Sequence, residues 1–310
     1  MKAKYYLAVM AAFFIYGLMS LPLKALDQYA AIDILLSRVF FSSVLIILFS
    51  LAFRKKVNRE TLRLFRSFDA RTKKRLWVVN IASSVALAVN WYLFIYVMNN
   101  ISVNATSLAY MICPIITTVL AYFFLKDQLT RLQWLAVLLS LVSCVLLTLG
   151  NYLDFLYSFM VGLSYAVYLV LQKKNNQLDR FFTLAFQLTV AILLLSPLYS
   201  VTHATPVKAE FYFGVIFIIA ALFTIIPMYL NVYALDGLTS STAGIFIYLN
   251  PILSFVLALS YFEEKMSLLK IVAYSIVFFS VVLFNLETLS KLFHKRSRRP
   301  AFQQHRSPRE

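Results

Sequence analysis

Ten long apolar runs divide this chain, too many and too long for the core of any water-soluble domain of its size. They cover residues 5–23, 31–53, 77–98, 103–125 and 132–149, then 153–171, 181–201, 211–234, 241–262 and 268–286. A helix needs roughly 20 mostly apolar residues to cross a bilayer. None of the runs alternates apolar with polar residues, as the strands of a membrane barrel do, so helices are the reading. Composition agrees: 61% of the 310 residues are apolar and 14% charged, against about half and about a quarter in soluble domains. The expected fold class is an all-α membrane protein with ten transmembrane helices.

The net charge of +16 would suggest nucleic acid in a soluble protein, but its placement says otherwise. With the N-terminus inside, the inner segments hold twenty-four Lys and Arg and the outer loops and outer span ends four, with Arg38 alone deep inside a run. Cytoplasmic loops carry this excess, so both termini are expected in the cytoplasm and no nucleic-acid partner is needed. Lys2 and Lys4 precede the first run as in a signal peptide. No small-residue cleavage site follows the run, which continues as Leu21-Pro22-Leu23-Lys24 into a short loop, so an uncleaved first span is expected. Cys113 and Cys144 both lie in apolar runs, which opposes a disulfide framework. The basic loop 54–75 sets Leu62, Phe65 and Phe68 among Arg63, Arg66 and Arg71. Two readings stand for it: a helix lying on the anionic inner leaflet, or a solvated basic loop. Residues 290–310, basic and with two prolines, are expected to be a disordered cytoplasmic tail.

Shifting the chain by 137 residues superposes Leu93 on Leu230, Tyr96 on Tyr233, Pro114 on Pro251, Ala136 on Ala273 and Ser143 on Ser280 without a gap. Asp127 lands on Glu264 in the same register. The shift carries each span onto the fifth one after it. Five is odd, so equivalent helices cross the membrane in opposite directions. Two inverted five-helix repeats follow, residues 1–150 and 151–289, a plan that places a transporter's substrate site near the midplane between them.

Polar residues inside the runs are candidates for that site. Arg38 is the one deep charge, and ionisable groups there are costly and commonly functional. It either binds an anionic group or ties neighbouring helices through their carbonyls. Asn90, Trp91, Tyr110, Tyr168, Tyr248 and Asn250 are expected to line one central cavity with it. Pro114, Pro227 and Pro251 fall inside runs, where each frees a backbone carbonyl and permits a kink or gate. The histidines, His203, His294 and His305, lie outside the runs, and H-E-x-x-H, G-x-S-x-G and P-loop motifs are missing. Neither catalytic residues, nor a metal, nor a cofactor is expected.

Several of these segments resemble one family. Asn90-Trp91, Leu93-Phe94-Ile95, Asn99-Asn100, Ser107-Leu108, Tyr110 and Pro114 are similar to the EamA-type transporters of the drug/metabolite transporter superfamily. Gln133-Trp134-Leu135-Ala136-Val137 and Asp33-Ile34-Leu35-Leu36-Ser37-Arg38 resemble its RarD-like branch of permeases, as do Ser164, Tyr168, Lys173-Lys174, Thr224, Pro227, Tyr248 and Pro251. Tyr165 and Asn250 depart from the phenylalanine and glycine of relatives. The resemblance implies a multi-pass secondary transporter of the bacterial inner membrane. It would export a small metabolite, such as an amino acid or a related compound, by alternating access around a central cavity. A zwitterionic or carboxylate-bearing substrate suits Arg38 better than a cation does. The implied partners are that substrate and the lipid bilayer, for a monomer or homodimer. The competing class is a non-transporting membrane protein, a receptor or an assembly partner.

Overall fold

Why each run becomes a helix is seen in a computed structural model, which describes residues 3–26, 28–101, 103–148, 152–201, 209–260 and 268–297. Helix α1 runs Ala3–Gly17 and, after a turn, Ser20–Lys24; α2 is Ala31–Phe53, α3 Lys55–Ser67 and α4 Ala70–Asn100. Then come α5 (Val103–Leu125), α6 (Arg131–Thr148), α7 (Tyr152–Lys174) and α8 (Arg180–Leu195). Helix α9 is Ala209–Ala220, continued by a π-helical turn into Ile226–Ala234. Helix α10 is Ser240–Ile245, a 3-10 turn Phe246–Tyr248 and Leu249–Ser260, and α11 is Leu268–Ser297. No strand occurs among the described residues.

Local chemistry sets the ends. Asp69 caps α4 by accepting from the Thr72 amide at 3.1 Å, and Asp179 caps α8 by accepting from the Phe182 amide at 2.9 Å. The bonds to Thr72, from its side chain and then its backbone, hold the Asp69 carboxyl below its ordinary range. Two irregular turns precede prolines. The π turn Ala221–Ile225 leads into Pro227, and the 3-10 turn Phe246–Tyr248 ends three residues before Pro251. A proline donates no backbone bond to the preceding turn, so the ladder there is free to rewind.

Seven helices among the described residues are long and apolar enough to cross a membrane. Two more, Arg131–Leu146 and Ile271–Leu286, are apolar but shorter. The ninth expected span is the interrupted α10. The stretch 54–75 is mostly helical, as α3, rather than an irregular loop. The expected disordered tail is corrected in part: α11 continues to Ser297. No Gly or Pro interrupts residues 287–297, and Lys291, Lys295 and Arg296 suit the negative end of a helix dipole. Residues 298–310, and Glu264 of the repeat register, lie outside the described residues.

The outer surface is apolar, with Phe53, Phe123 and Leu193 exposed, as a lipid-facing surface requires. Inside, α4 packs on α7 and α8, α5 on α7 and α10, and α1 on α9 and α10. Helix α2 packs on α8 and α9, and α6 on α11. Buried hydroxyls bond back to their own helices: Ser83 to Val79 O at 2.7 Å, Thr117 to Cys113 O at 2.8 Å and Ser140 to Ala136 O at 3.0 Å. Ser143 crosses instead to Ala273 O at 2.8 Å, joining α6 to α11. Gly162 lets α7 approach α5, since a Cβ there would lie 3.2 Å from Ala109 O and 3.3 Å from the Cys113 amide.

Candidate functional site

One cavity of about 260 Å³ lies where α1, α2, α4, α5, α7 and α10 meet. Arg38, Asn90, Trp91, Tyr110 and Asn250 all line it, together with Tyr16, Phe94 and Tyr165. A smaller compartment of about 40 Å³ shares Tyr16, Arg38, Trp91 and Tyr165 and adds Tyr168, Thr224 and Asn231. Tyr165 and Tyr168 stack with ring centroids 5.8 Å apart.

Arg38 enters from the first half of α2. Its Nη1 reaches Met19 Sδ at 3.7 Å and its guanidinium stands 5.6 Å from the centre of the Trp91 ring. Its Nε is buried with no hydrogen-bond partner, and no carboxylate pairs with it among the described residues. A thioether and an aromatic face do not neutralise a cation, so the site is electrostatically incomplete. A planar guanidinium of this kind can hold an anion through a bidentate fork.

Asn90 serves another role as well. Its Nδ2 donates to Val161 O at 3.0 Å and to Ser164 Oγ at 3.1 Å, tying α4 to α7. Both donors are committed, so Oδ1 is what it presents to a ligand. Asn250 makes no hydrogen bond among the described residues and leaves its whole amide to the cavity.

Tyr248 lines neither compartment and is wholly buried. The expectation that it shares the cavity with Asn250 is corrected by helical geometry. Tyr248 closes the 3-10 turn, where side chains three apart eclipse, so Asn250 sides with Ile247 and Tyr248 is turned away. Asn250 and Ile247 face the cavity, and Tyr248 is turned toward Ser140 and Cys144 on α6. Pro114, Pro227 and Pro251 are buried but line neither compartment; each sits on a helix that supplies lining residues.

The model of the EamA-like transporter family matches this sequence over residues 3–149 and again over 154–286. The chain belongs to that family. It is 26% identical over 287 residues to the Protein RarD of Escherichia coli (strain K12), covering 91% of this chain and 94% of that protein. The Protein RarD of Streptomyces exfoliatus is 30% identical over 292 residues, 93% of this chain and 90% of that one. The uncharacterized transporter YojE of Bacillus subtilis (strain 168) is 28% identical over 309 residues, 96% of each chain. A solved crystal structure shares the fold, with a TM-score of 0.70 at 13% identity over 96% of this chain and 100% of that one. This EamA-type, RarD-like permease is thus a multi-pass membrane transporter and not an enzyme.

The transporter also holds a polar cluster that the sequence reading passes over, away from the cavity, near the end of α7 and the start of α8. Asn175 Nδ2 donates to Asn80 Oδ1 at 2.8 Å, Gln187 Nε2 to the same oxygen at 3.2 Å, and Gln172 to Gln187. Arg180 joins it by donating to the Gln172 and Asn175 carbonyls and to Asp236 Oδ1 through Nε at 2.8 Å. Lys173 Nζ donates to the Leu238 carbonyl at 2.6 Å and Ser241 Oγ to Asp127 at 3.0 Å. Asn80 and Gln187, amides inside apolar runs, are the signal that could have found it, because each must be satisfied within the membrane.

Proposed function

We propose that this transporter exports a small carboxylate-bearing metabolite, an amino acid or a related compound, across the bacterial inner membrane. Its ten helices act as two inverted five-helix repeats, and both termini stay in the cytoplasm. The observation that carries the substrate class is Arg38: a guanidinium with no counter-charge among the described residues, in a cavity walled by aromatic rings and two amides. The substrate carboxylate pairs with Arg38, its apolar portion packs among Tyr16, Trp91, Tyr110 and Tyr165, and Asn250 hydrogen-bonds its remaining polar group.

Three observations support the repeat. The family model matches the two halves separately. The packing is mirrored under a shift of five spans: α4 lies on α7 as α9 lies on α1, and α5 on α7 as α10 on α1. Helices α2 and α8, α5 and α10, and α6 and α11 are each their own mirror pair. Finally, Ala136, Ser143, Ala273 and Ser280 are all fully buried where α6 meets α11, at equivalent positions of the two halves.

The cavity draws on the second halves of α1 and α4 and the first half of α2, the outer halves in the orientation set by the basic residues. The Asn80–Gln187–Arg180 cluster lies at the inner ends. We therefore read the structure as closed to the cytoplasm by that cluster, with alternating access requiring it to part. Comparing the culture medium of deletion and overexpressing cells, metabolite by metabolite, tests the proposal. A carboxylate-bearing compound accumulating outside overexpressing cells is the expected result; an unchanged medium profile contradicts it.

A further inference from the structure

The amphipathic helix α3 stands beside a groove that is separate from the Arg38 cavity and meets the cytoplasmic cluster at Asn80. At helical spacing, Val57, Thr61, Leu62, Leu64 and Phe65 fall on one side of α3, and Lys55, Lys56, Arg59, Arg63 and Arg66 on the other. The helix is anchored at its start. Asn58 Nδ2 donates to Ser50 O at 3.0 Å and Ser50 Oγ at 2.9 Å, and Arg54 pairs with Asp179 at 2.9 Å. Farther along, the Phe65 ring meets Trp77 edge-on at 6.4 Å, and Trp77 meets Phe186 at 5.4 Å. An apolar groove of about 220 Å³ remains between α3, α4 and α8, lined by Leu62, Phe65, Trp77, Phe182 and Phe186 among others. Leu62 is 42% exposed and Trp77 50%.

Residues 55–75 hold nine Lys and Arg against Glu60 and Asp69, and none of the nine forms an ion pair among the described residues. A soluble anion satisfies those cations and leaves Leu62 and Trp77 uncovered. A zwitterionic lipid covers the groove and leaves the excess charge. One ligand does both. We propose that α3, α4 and α8 bind an anionic phospholipid of the cytoplasmic leaflet, an acyl chain in the groove and the phosphate among Arg59, Arg63 and Arg66. The leaflet rests on the inside orientation of residues 54–75 proposed above; the groove and its cations are independent of Arg38.

The full chain is assembled in nanodiscs of equal phosphatidylglycerol and phosphatidylcholine, extracted in mild detergent, and its retained lipids are counted by native mass spectrometry. Wild type is expected to keep phosphatidylglycerol over phosphatidylcholine by about tenfold. The combined variant Arg59→Gln, Arg63→Gln, Arg66→Gln should bring the two near parity. Leu62→Gln, an exposed position that leaves the core intact, should lower retention of both. Equal retention by wild type, or a preference that survives the triple variant, overturns the site. A cysteine replacing Lys56 reports the leaflet separately. Labelling only from the cytoplasmic side is expected, and labelling from outside on intact cells overturns the cytoplasmic assignment whatever the lipid counts.

Discussion

Arg38 carries more of the functional reading than any other residue because no carboxylate among the described residues meets its cost. A guanidinium at depth in a membrane helix costs about 2.5–3.5 kcal/mol on insertion scales, and an aromatic face returns roughly 0.5–2 kcal/mol. The remainder is what a carboxylate, bound as proposed, would relieve. Its neighbours divide into structural and binding groups, and two substitutions separate them. Asn90→Leu removes both bonds from α4 to α7, each worth about 0.6 kcal/mol between membrane helices. It should lower the melting temperature of the purified protein along with transport. Asn250→Leu breaks no such bond, so transport should fall while the melting temperature holds. Equal melting shifts for the two variants would mean that Asn250 is a packing group.

At the scale of the elements, the cytoplasmic closure makes its own prediction. Asp236→Asn weakens the charge-assisted bonds of Arg180 to the turn after α9 and should let α7, α8 and α9 part more often. A cysteine replacing Asn231, a buried residue, should then react faster with a thiol reagent applied from the cytoplasmic side. An unchanged rate would remove the cluster from the gate. How much of this was legible follows from what the bilayer demands. Apolar runs of fixed length, cationic loops and prolines are visible one residue at a time, and the 3.6-residue period of α3 was visible as well. Tyr248 was not: which face it takes depends on the winding of α10 at its 3-10 turn. The pairing of Asn80, Asn175 and Gln187 was not either, since three amides far apart in sequence reveal nothing about which helices meet.

For the whole molecule, the inverted repeat predicts matched responses at equivalent sites. Ala136 and Ala273 are both fully buried where α6 meets α11. Leucine at either position should overpack that contact by about 1–3 kcal/mol and lower thermal stability to a similar degree. Reporter tags at both ends should read cytoplasmic and one after Asn100 should read external; an external C-terminus would remove both the ten-span count and the inversion. The central claim is that an unpaired Arg38 between the two halves holds the carboxylate of the cargo. Transport in reconstituted proteoliposomes tests it most directly, with the carboxylate substrate from the culture-medium comparison set against its neutral amide. Wild type should move the acid at least tenfold faster than the amide, Arg38→Lys should retain part of that rate, and Arg38→Ala should move the two alike and slowly. Arg38→Ala protein that is folded and carries the acid at the wild-type rate would contradict the account.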